Sequence, residues 1–165
     1  MSNNWEKVHC TNFFCTNDTK LRSFYFKIFH KSIGLNEFLF RIKRVESPNC
    51  IWCNKNVESL IHLFCECEKV TPIWLFLTYK ISQFVSNLNV TNFEKLFGVT
   101  NDKFITYLFL LLKYHIYSCR FTDKLPNIDM FKSSVKKQKE LEYSLAKKRN
   151  RLPIHFKKWR FDVTA

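Results

Sequence analysis

Four cysteines and a histidine crowd into residues 50–67, C-I-W-C-N-K-N-V-E-S-L-I-H-L-F-C-E-C. Thiolates and imidazoles are the ligands Zn²⁺ takes in tetrahedral sets of four, and a C-x-x-C turn supplies two thiolates from one tight loop. Cys50 and Cys53 make that turn, and His62 is the third ligand. Spacing leaves two choices for the fourth. Cys65, three residues after His62, shares its face on a regular helix. Cys67, five residues on, reaches the same ion only if the helix ends or distorts beside it. Thiols buried without a ligand in an aromatic-rich core are the other reading that the spacing permits. A site closed by four protein ligands keeps no position for water, so its zinc is structural and not catalytic. Its binding free energy, on the order of 10 kcal/mol, enters folding directly.

The elements that must position this window follow from apolar spacing and local punctuation. Residues 19–33 predict a helix with Leu21, Phe24, Ile28 and Ile33 along one stripe and Thr19 as its cap. Asn36 caps a short helix carrying Phe38, Leu39 and Ile42, and Pro48 breaks the chain before the cysteines. Ser59–Glu68 reads as helix. Thr71-Pro72 starts the next, which buries Trp74, Leu77, Ile81 and Phe84 or Val85. Thr91 or Asn92 caps F-E-K-L-F, and Gly98 ends it. Phe104–Phe121 carries Phe104, Leu108, Leu111 or Leu112, His115 and Cys119 at helical spacing. Residues 128–150 are helical by propensity, with a thin stripe of Met130, Phe131, Val135, Leu141 and Leu145. The expected fold is mainly α: a helical body over 1–121 containing the knuckle 50–67, then a basic helical tail over 122–165.

Composition agrees. The chain has 165 residues, enough to bury roughly 70% of its unfolded surface in one core. It has only two glycines, Gly34 and Gly98, which argues against an all-β fold rich in tight turns and against phosphate-cradling glycine loops. No secretory signal is visible in the polar N-terminus, and the longest apolar run, from Phe104, stops at Lys113, short of the ~18 residues a membrane span needs. The expected location is nuclear or cytoplasmic, not secreted, with thiols kept reduced. The odd count of seven cysteines points the same way, towards metal and away from a disulfide framework.

The net charge of +13 calls for a polyanion or an anionic surface, and charge alone does not choose between nucleic acid and membrane. From Lys132 onward the cations include Lys136, Lys137, Lys139, Lys147, Lys148, Arg149, Arg151, Lys157, Lys158 and Arg160, opposed before Asp162 only by Glu140 and Glu142. Tyr143, Phe156, Trp159 and Phe161 lie among them, and aromatic rings stack on unpaired bases at about 1–3 kcal/mol each. The alternative is a solvated helix face with a nuclear-localisation run, K-K-R-N-R. The tail's apolar face is too thin for a membrane-surface role. His30 and His115 lie on apolar helix faces and are expected in core or partner contacts, not in catalysis. Cys10 and Cys15 lack nearby further ligands, and Cys119 reads as core.

Taken together, L-R-S-F-Y-F-K-I-F-H-K at 21–31, S-P-N-C-I-W-C at 47–53, E-S-L-I-H-L-F-C-E-C at 58–67 and Trp74 resemble the zinc-binding region C-terminal to the polymerase of non-LTR (LINE-type) retrotransposon reverse transcriptases. L-F-G at 96–98, L-L-L-K-Y-H-I-Y-S-C-R at 110–120 and K-K-W at 157–159 extend the resemblance over nearly the whole chain. The resemblance implies Cys50, Cys53, His62 and Cys67 as ligands of a structural Zn²⁺, because H-L-F-x-x-C is that region's usual form. It implies nucleic-acid binding, of template RNA or target DNA, with Arg22, Lys27, Lys31 and the tail residues Lys136, Lys137, Lys147, Lys148, Arg149, Arg151, Lys157, Lys158 and Trp159 as contacts. It also implies a polymerase domain as a partner on which the aromatic body docks. The parent enzymes are RNA-directed DNA polymerases that need paired aspartates for Mg²⁺, and no Asp-Asp pair occurs in this sequence. The expectation is therefore a non-catalytic chain, a tail without its enzymatic head. The other possibilities are a protein-interaction module and an inert remnant.

Overall fold

The computed structural model describes residues 5–86, 88–99 and 102–164. Met1–Asn4, part of the polar N-terminal stretch, lie outside them. Among the described residues the architecture is helical: α1 (Trp5–Phe14), α2 (Thr19–Phe29), α3 (Asn36–Arg41), a π turn (His62–Glu66), α4 (Thr71–Ser82), α5 (Asn92–Phe97), α6 (Lys103–Phe121), α7 (Ile128–Lys148) and α8 (Leu152–Lys158). Among the described residues the extended pairing is confined to one antiparallel bridge, Asn49 to Val57.

The central element is α6. Asp102 caps it by accepting from the Phe104 and Ile105 amides at 2.9 and 3.0 Å. It is apolar on nearly every side, as a helix surrounded by others must be, with Tyr107, Leu108, Phe109, Leu112 and Ile116 fully buried. Helices α1, α2, α5 and α7 pack on it. In α2, Leu21, Phe24 and Ile28 face the core as their spacing requires, and Phe24 meets Tyr114 edge-on at 5.3 Å. Thr71-Pro72 opens α4, and Thr91 with Glu94 forms a complete capping box on α5, ended by Gly98 at φ 83°.

Local chemistry moves several expected boundaries. The cap of α2 is Asp18, whose carboxylate accepts from Lys20 N at 2.8 Å; Thr19 is the first helical residue. That helix stops at Phe29, short of residue 33, because Lys31 turns left-handed at φ 51° and closes a Schellman motif: Ser32 N to Lys27 O at 2.8 Å and Lys31 N to Ile28 O at 3.0 Å. Lys43, Asp123 and Asn150 end α3, α6 and α7 in the same way. A chain with two glycines thus uses one of them, Gly98, to end α5 and builds the ends of α2, α3, α6 and α7 from lysine, aspartate and asparagine. Helix α1 carries no clean apolar stripe in the sequence and is added by the structure. In α4, Trp74, Leu77 and Ile81 are buried as expected; beyond the helix end Val85 is half-buried against the core and Phe84 is exposed.

The composition change near residue 122 is not a boundary in packing. Phe131 and Val135 of α7, and Trp159, Phe161 and Val163 beyond α8, belong to the same core cluster as Leu63 and Trp74. The predicted apolar stripe of α7 is buried only at Phe131 and Val135; Met130, Leu141 and Leu145 are exposed. No helix among the described residues is long and apolar enough to cross a membrane.

Candidate metal centre

The ligand loop is a tight hairpin closed by the Asn49–Val57 bridge. Cys50 N donates to Asn56 O at 2.8 Å and Glu58 N to Pro48 O at 2.8 Å. Inside it, Asn54 N returns to Cys50 O at 2.9 Å, and Asn54 takes the left-handed conformation, φ 52°, that asparagine tolerates better than most side chains. This turn sets Cys50 and Cys53 side by side.

The second half comes from the π turn. Ser59 Oγ accepts from His62 N at 3.1 Å where the turn begins. Cys67 N then bonds five residues back to His62 O at 2.9 Å, and Cys67 leaves the helix at φ −59°, ψ 129°. The widened turn is the distortion that a fourth ligand at Cys67 requires. It carries Cys67 round to the side of His62. It also directs Cys65 away from the site, with its Sγ 3.8 Å from Asn92 O. The indole of Trp74 secures the turn by donating to Phe64 O at 2.5 Å.

The ligand atoms of Cys50, Cys53, His62 and Cys67 all lie within 4.8 Å of one another, the one such group of metal-ligating side chains among the described residues. Cys50 Sγ is 3.8 Å from Cys67 Sγ, and Cys53 Sγ is 3.3 Å from His62 Nε2. With Zn–S near 2.3 Å and Zn–N near 2.0–2.1 Å, the edges of a tetrahedron are about 3.8 Å for S···S and about 3.6 Å for S···N. The donor set and its spacing therefore fit a four-coordinate metal ion of the zinc type. Cys50, His62 and Cys67 are buried, and Cys53 sits half-buried at the mouth.

The thiols differ in how readily they ionise. Burial pushes Cys67 up to about 12 and raises Cys50 as well. Burial opposes ionisation at Cys53 too, but the Lys55 and Asn56 amides and the His62 and Cys50 side chains outweigh it and bring that thiol down to about 6. A metal entering this site meets one thiolate ready-made and must displace protons from the other two.

A carboxylate behind the loop holds it to the body. Glu58 Oε2 accepts from Ile51 N at 3.3 Å, between the two loop cysteines, and its Oε1 accepts from Asn36 N at 3.0 Å and from Arg120 Nε at 2.8 Å. Asn36 also bonds Asn49 O and the Arg120 guanidinium. Both Glu58 and Arg120 belong to the quoted motifs, but no local pattern pairs them across the chain.

The expected nucleic-acid contacts do not form one surface. Lys136 lines a groove of about 810 Å³ between α7 and α8, with Lys132, Tyr143 and Phe156. Lys148, Arg149, Arg151 and Lys158 line a neighbouring groove of about 640 Å³. Lys137, Lys147 and Lys157 are exposed on the same two helices. Lys27 borders a separate depression with Lys20, Tyr114 and Tyr117, and Lys31 is an exposed helix-ending residue.

Three expected contacts are corrected by their surroundings. Trp159 is not a stacking platform: it is 7% exposed, meets Phe104 edge-on at 5.4 Å and donates its indole N–H to Glu142 at 2.9 Å. Lys158 spends its charge on both Glu142 oxygens at 2.9 Å and lies 3.6 Å from the Tyr107 ring centre. Burial raises Glu142, but Lys158 and the hydrogen bonds from Tyr107, Lys158 and Trp159 outweigh it and hold the carboxyl below its ordinary range. Arg22 donates to Thr16 O at 2.8 Å and Asn17 Oδ1 at 3.1 Å and lies over the Phe13 ring, tying α1 to α2. Of the other candidates, His115 is buried against Phe131 with Cys119 Sγ at 3.6 Å, and His30 is exposed with its ring tilted against that of Phe26, centres 4.1 Å apart.

No family model matches the chain, and no curated protein or solved structure matches it either.

Proposed function

We propose that this chain is a non-catalytic, zinc-stapled helical module that binds nucleic acid, the role carried by the retrotransposon reverse-transcriptase region its motifs resemble. Cys50, Cys53, His62 and Cys67 would hold the Zn²⁺, which supplies shape and not chemistry: four protein ligands leave no position for water or substrate. Held by those four residues, the ion would pin the ligand loop to the π turn, and Glu58 would pass that constraint to α3 and α6 through Asn36 and Arg120.

The observation that supports nucleic-acid binding is the groove between α7 and α8. Lys132 and Lys136 lie a helical turn apart on one wall, and the exposed rings of Tyr143 and Phe156, 6.3 Å apart, lie further along it. Phosphates meet ammonium groups while unpaired bases meet ring faces, the division of labour found in single-strand sites. Among the described residues, Lys136, Lys137, Lys147 and Lys157 have no ion pair to spend their charge on. Lys139 does, at 3.2 Å from Asp162.

The test is metal content followed by titration. The purified chain is expected to hold one zinc and to bind a single-stranded oligonucleotide with affinity that falls steeply with salt. For about six phosphate contacts on a duplex, the log–log slope is about −5, and it is shallower on a single strand. A zinc-loaded, folded chain that binds neither RNA nor DNA at low salt sinks the nucleic-acid reading and leaves the metal site standing.

A further inference from the structure

The second groove between α7 and α8 differs in kind from the first. Leu141 and Leu145 lie one turn apart on α7, and Ile154 of α8 lies across from them, with 52%, 52% and 65% of their surfaces exposed. These leucines continue the apolar stripe that Phe131 and Val135 begin, yet among the described residues about half of each side chain is left uncovered. The lining has no exposed aromatic ring, so a base finds nothing to stack on. Two antiparallel helices with an aliphatic furrow between them are the seat of a third helix, whose anchors at i, i+4 and i+7 match that spacing.

Charge selects the occupant. The two acids in the groove are engaged: Asp18 caps α2, and Glu142 holds Lys158, Tyr107 and Trp159. Lys148, Arg149 and Arg151 are exposed and, among the described residues, have no ion pair. The unspent charge on the rim is entirely positive. A second copy of a chain with net charge +13 would bring the same cations to the same place.

We propose that this groove docks an amphipathic helix from a partner protein, with aliphatic residues seated on Leu141, Leu145 and Ile154 and carboxylates facing Lys148, Arg149 and Arg151. The surface is distinct from the Tyr143–Phe156 groove and does not depend on nucleic-acid binding. The test uses the full zinc-loaded chain against a displayed library of 18-residue acidic amphipathic helices with varied apolar anchors, a design length of about five turns. Enriched helices are expected to bind at least ~10-fold more weakly to Leu145→Asp and Ile154→Asp, and to the Arg149→Glu/Arg151→Glu pair, and equally well to Phe156→Ala. All of these positions are exposed, so circular dichroism of the variants is expected to match the parent. Three results overturn the proposal: no helix enriched over a composition-matched scrambled library, enriched helices that ignore these substitutions, or capture of phosphatidylserine vesicles through Ile154 in place of any helix.

Discussion

Glu58 and Arg120 meet as a buried ion pair although 62 residues separate them: Arg120 Nη2 lies 2.6 Å and Nε 2.8 Å from Glu58 Oε1. The pair joins the last turn of α6 to the loop that carries two candidate metal ligands, because the same carboxylate accepts from Ile51 N. Removing Arg120 leaves the Glu58 carboxylate buried with two backbone amides and no counter-charge. Arg120→Met is expected to cost about 3–5 kcal/mol, read from urea unfolding at pH 7 with saturating zinc. It should also weaken zinc binding by about 10–100-fold, as loss of an outer-shell partner does. An Arg120→Met chain with unchanged stability would show that the pair does not anchor the loop.

The choice between Cys65 and Cys67 yields to a two-variant comparison. Cys67→Ser removes a ligand atom 3.8 Å from Cys50 Sγ, so stoichiometric zinc should be lost and most tertiary structure with it. Cys65→Ser alters a thiol that faces Asn92 O, so the metal should stay. Zinc content by elemental analysis decides the matter, and retention of zinc by Cys67→Ser together with loss by Cys65→Ser would reverse the assignment.

What the sequence made readable was local. Pro72, Thr91 and Gly98 mark helix limits through the backbone groups they satisfy or release, and the structure places α4 and α5 between them. The stripe of α6 was legible because a central helix needs apolar residues at every turn. The end of α2 was not, since a left-handed Lys31 carries no glycine to announce it. Spacing alone could not choose Cys67, because the five-residue bond that brings it to His62 is a departure from the regular helix assumed in counting. Trp159 reads as a stacking residue by the company it keeps in sequence, yet its partner is Glu142, seventeen positions away and on another helix. Pairings of that kind are set by how helices pack and leave no local trace.

Lys113 is buried in α6 and donates to Leu96 O at the end of α5. Burial pushes its ammonium down from 10.5 to about 8, an effect partly opposed by the nearby Cys65 and Cys15 thiols. Below pH 8 the folded chain carries this charge in an apolar core, and its cost is fully present. Between pH 8 and 10.5 the folded lysine is neutral while the unfolded one still binds a proton, so the cost fades as pH rises. The gap is worth about 3 kcal/mol. Lys113→Met, which removes the charge and keeps the volume, should therefore lose about 3 kcal/mol of its advantage over the parent between pH 7 and pH 10.5. Paired denaturation curves at the two pH values measure this, and a pH-independent difference would mean that Lys113 holds its proton in the fold as it does in the unfolded chain, hydrated and not desolvated.

Phe156 and Trp159 separate binding from stability. Phe156 is 60% exposed beside Tyr143, and Trp159 is enclosed by Phe104, Tyr107 and Glu142. Phe156→Ala should leave the unfolding midpoint nearly unchanged while weakening a single-stranded oligonucleotide by about 1–3 kcal/mol, with the salt slope preserved, because a ring and no cation is lost. Trp159→Ala should do the reverse, costing about 3–5 kcal/mol of stability through the cavity and the indole N–H that Glu142 loses. Lys136→Ala should reduce the magnitude of the slope by about 0.7 on a single strand, because one phosphate contact goes. If Trp159→Ala instead leaves the fold intact and abolishes oligonucleotide binding, the indole leaves its pocket to stack, and the α7–α8 groove opens when it binds.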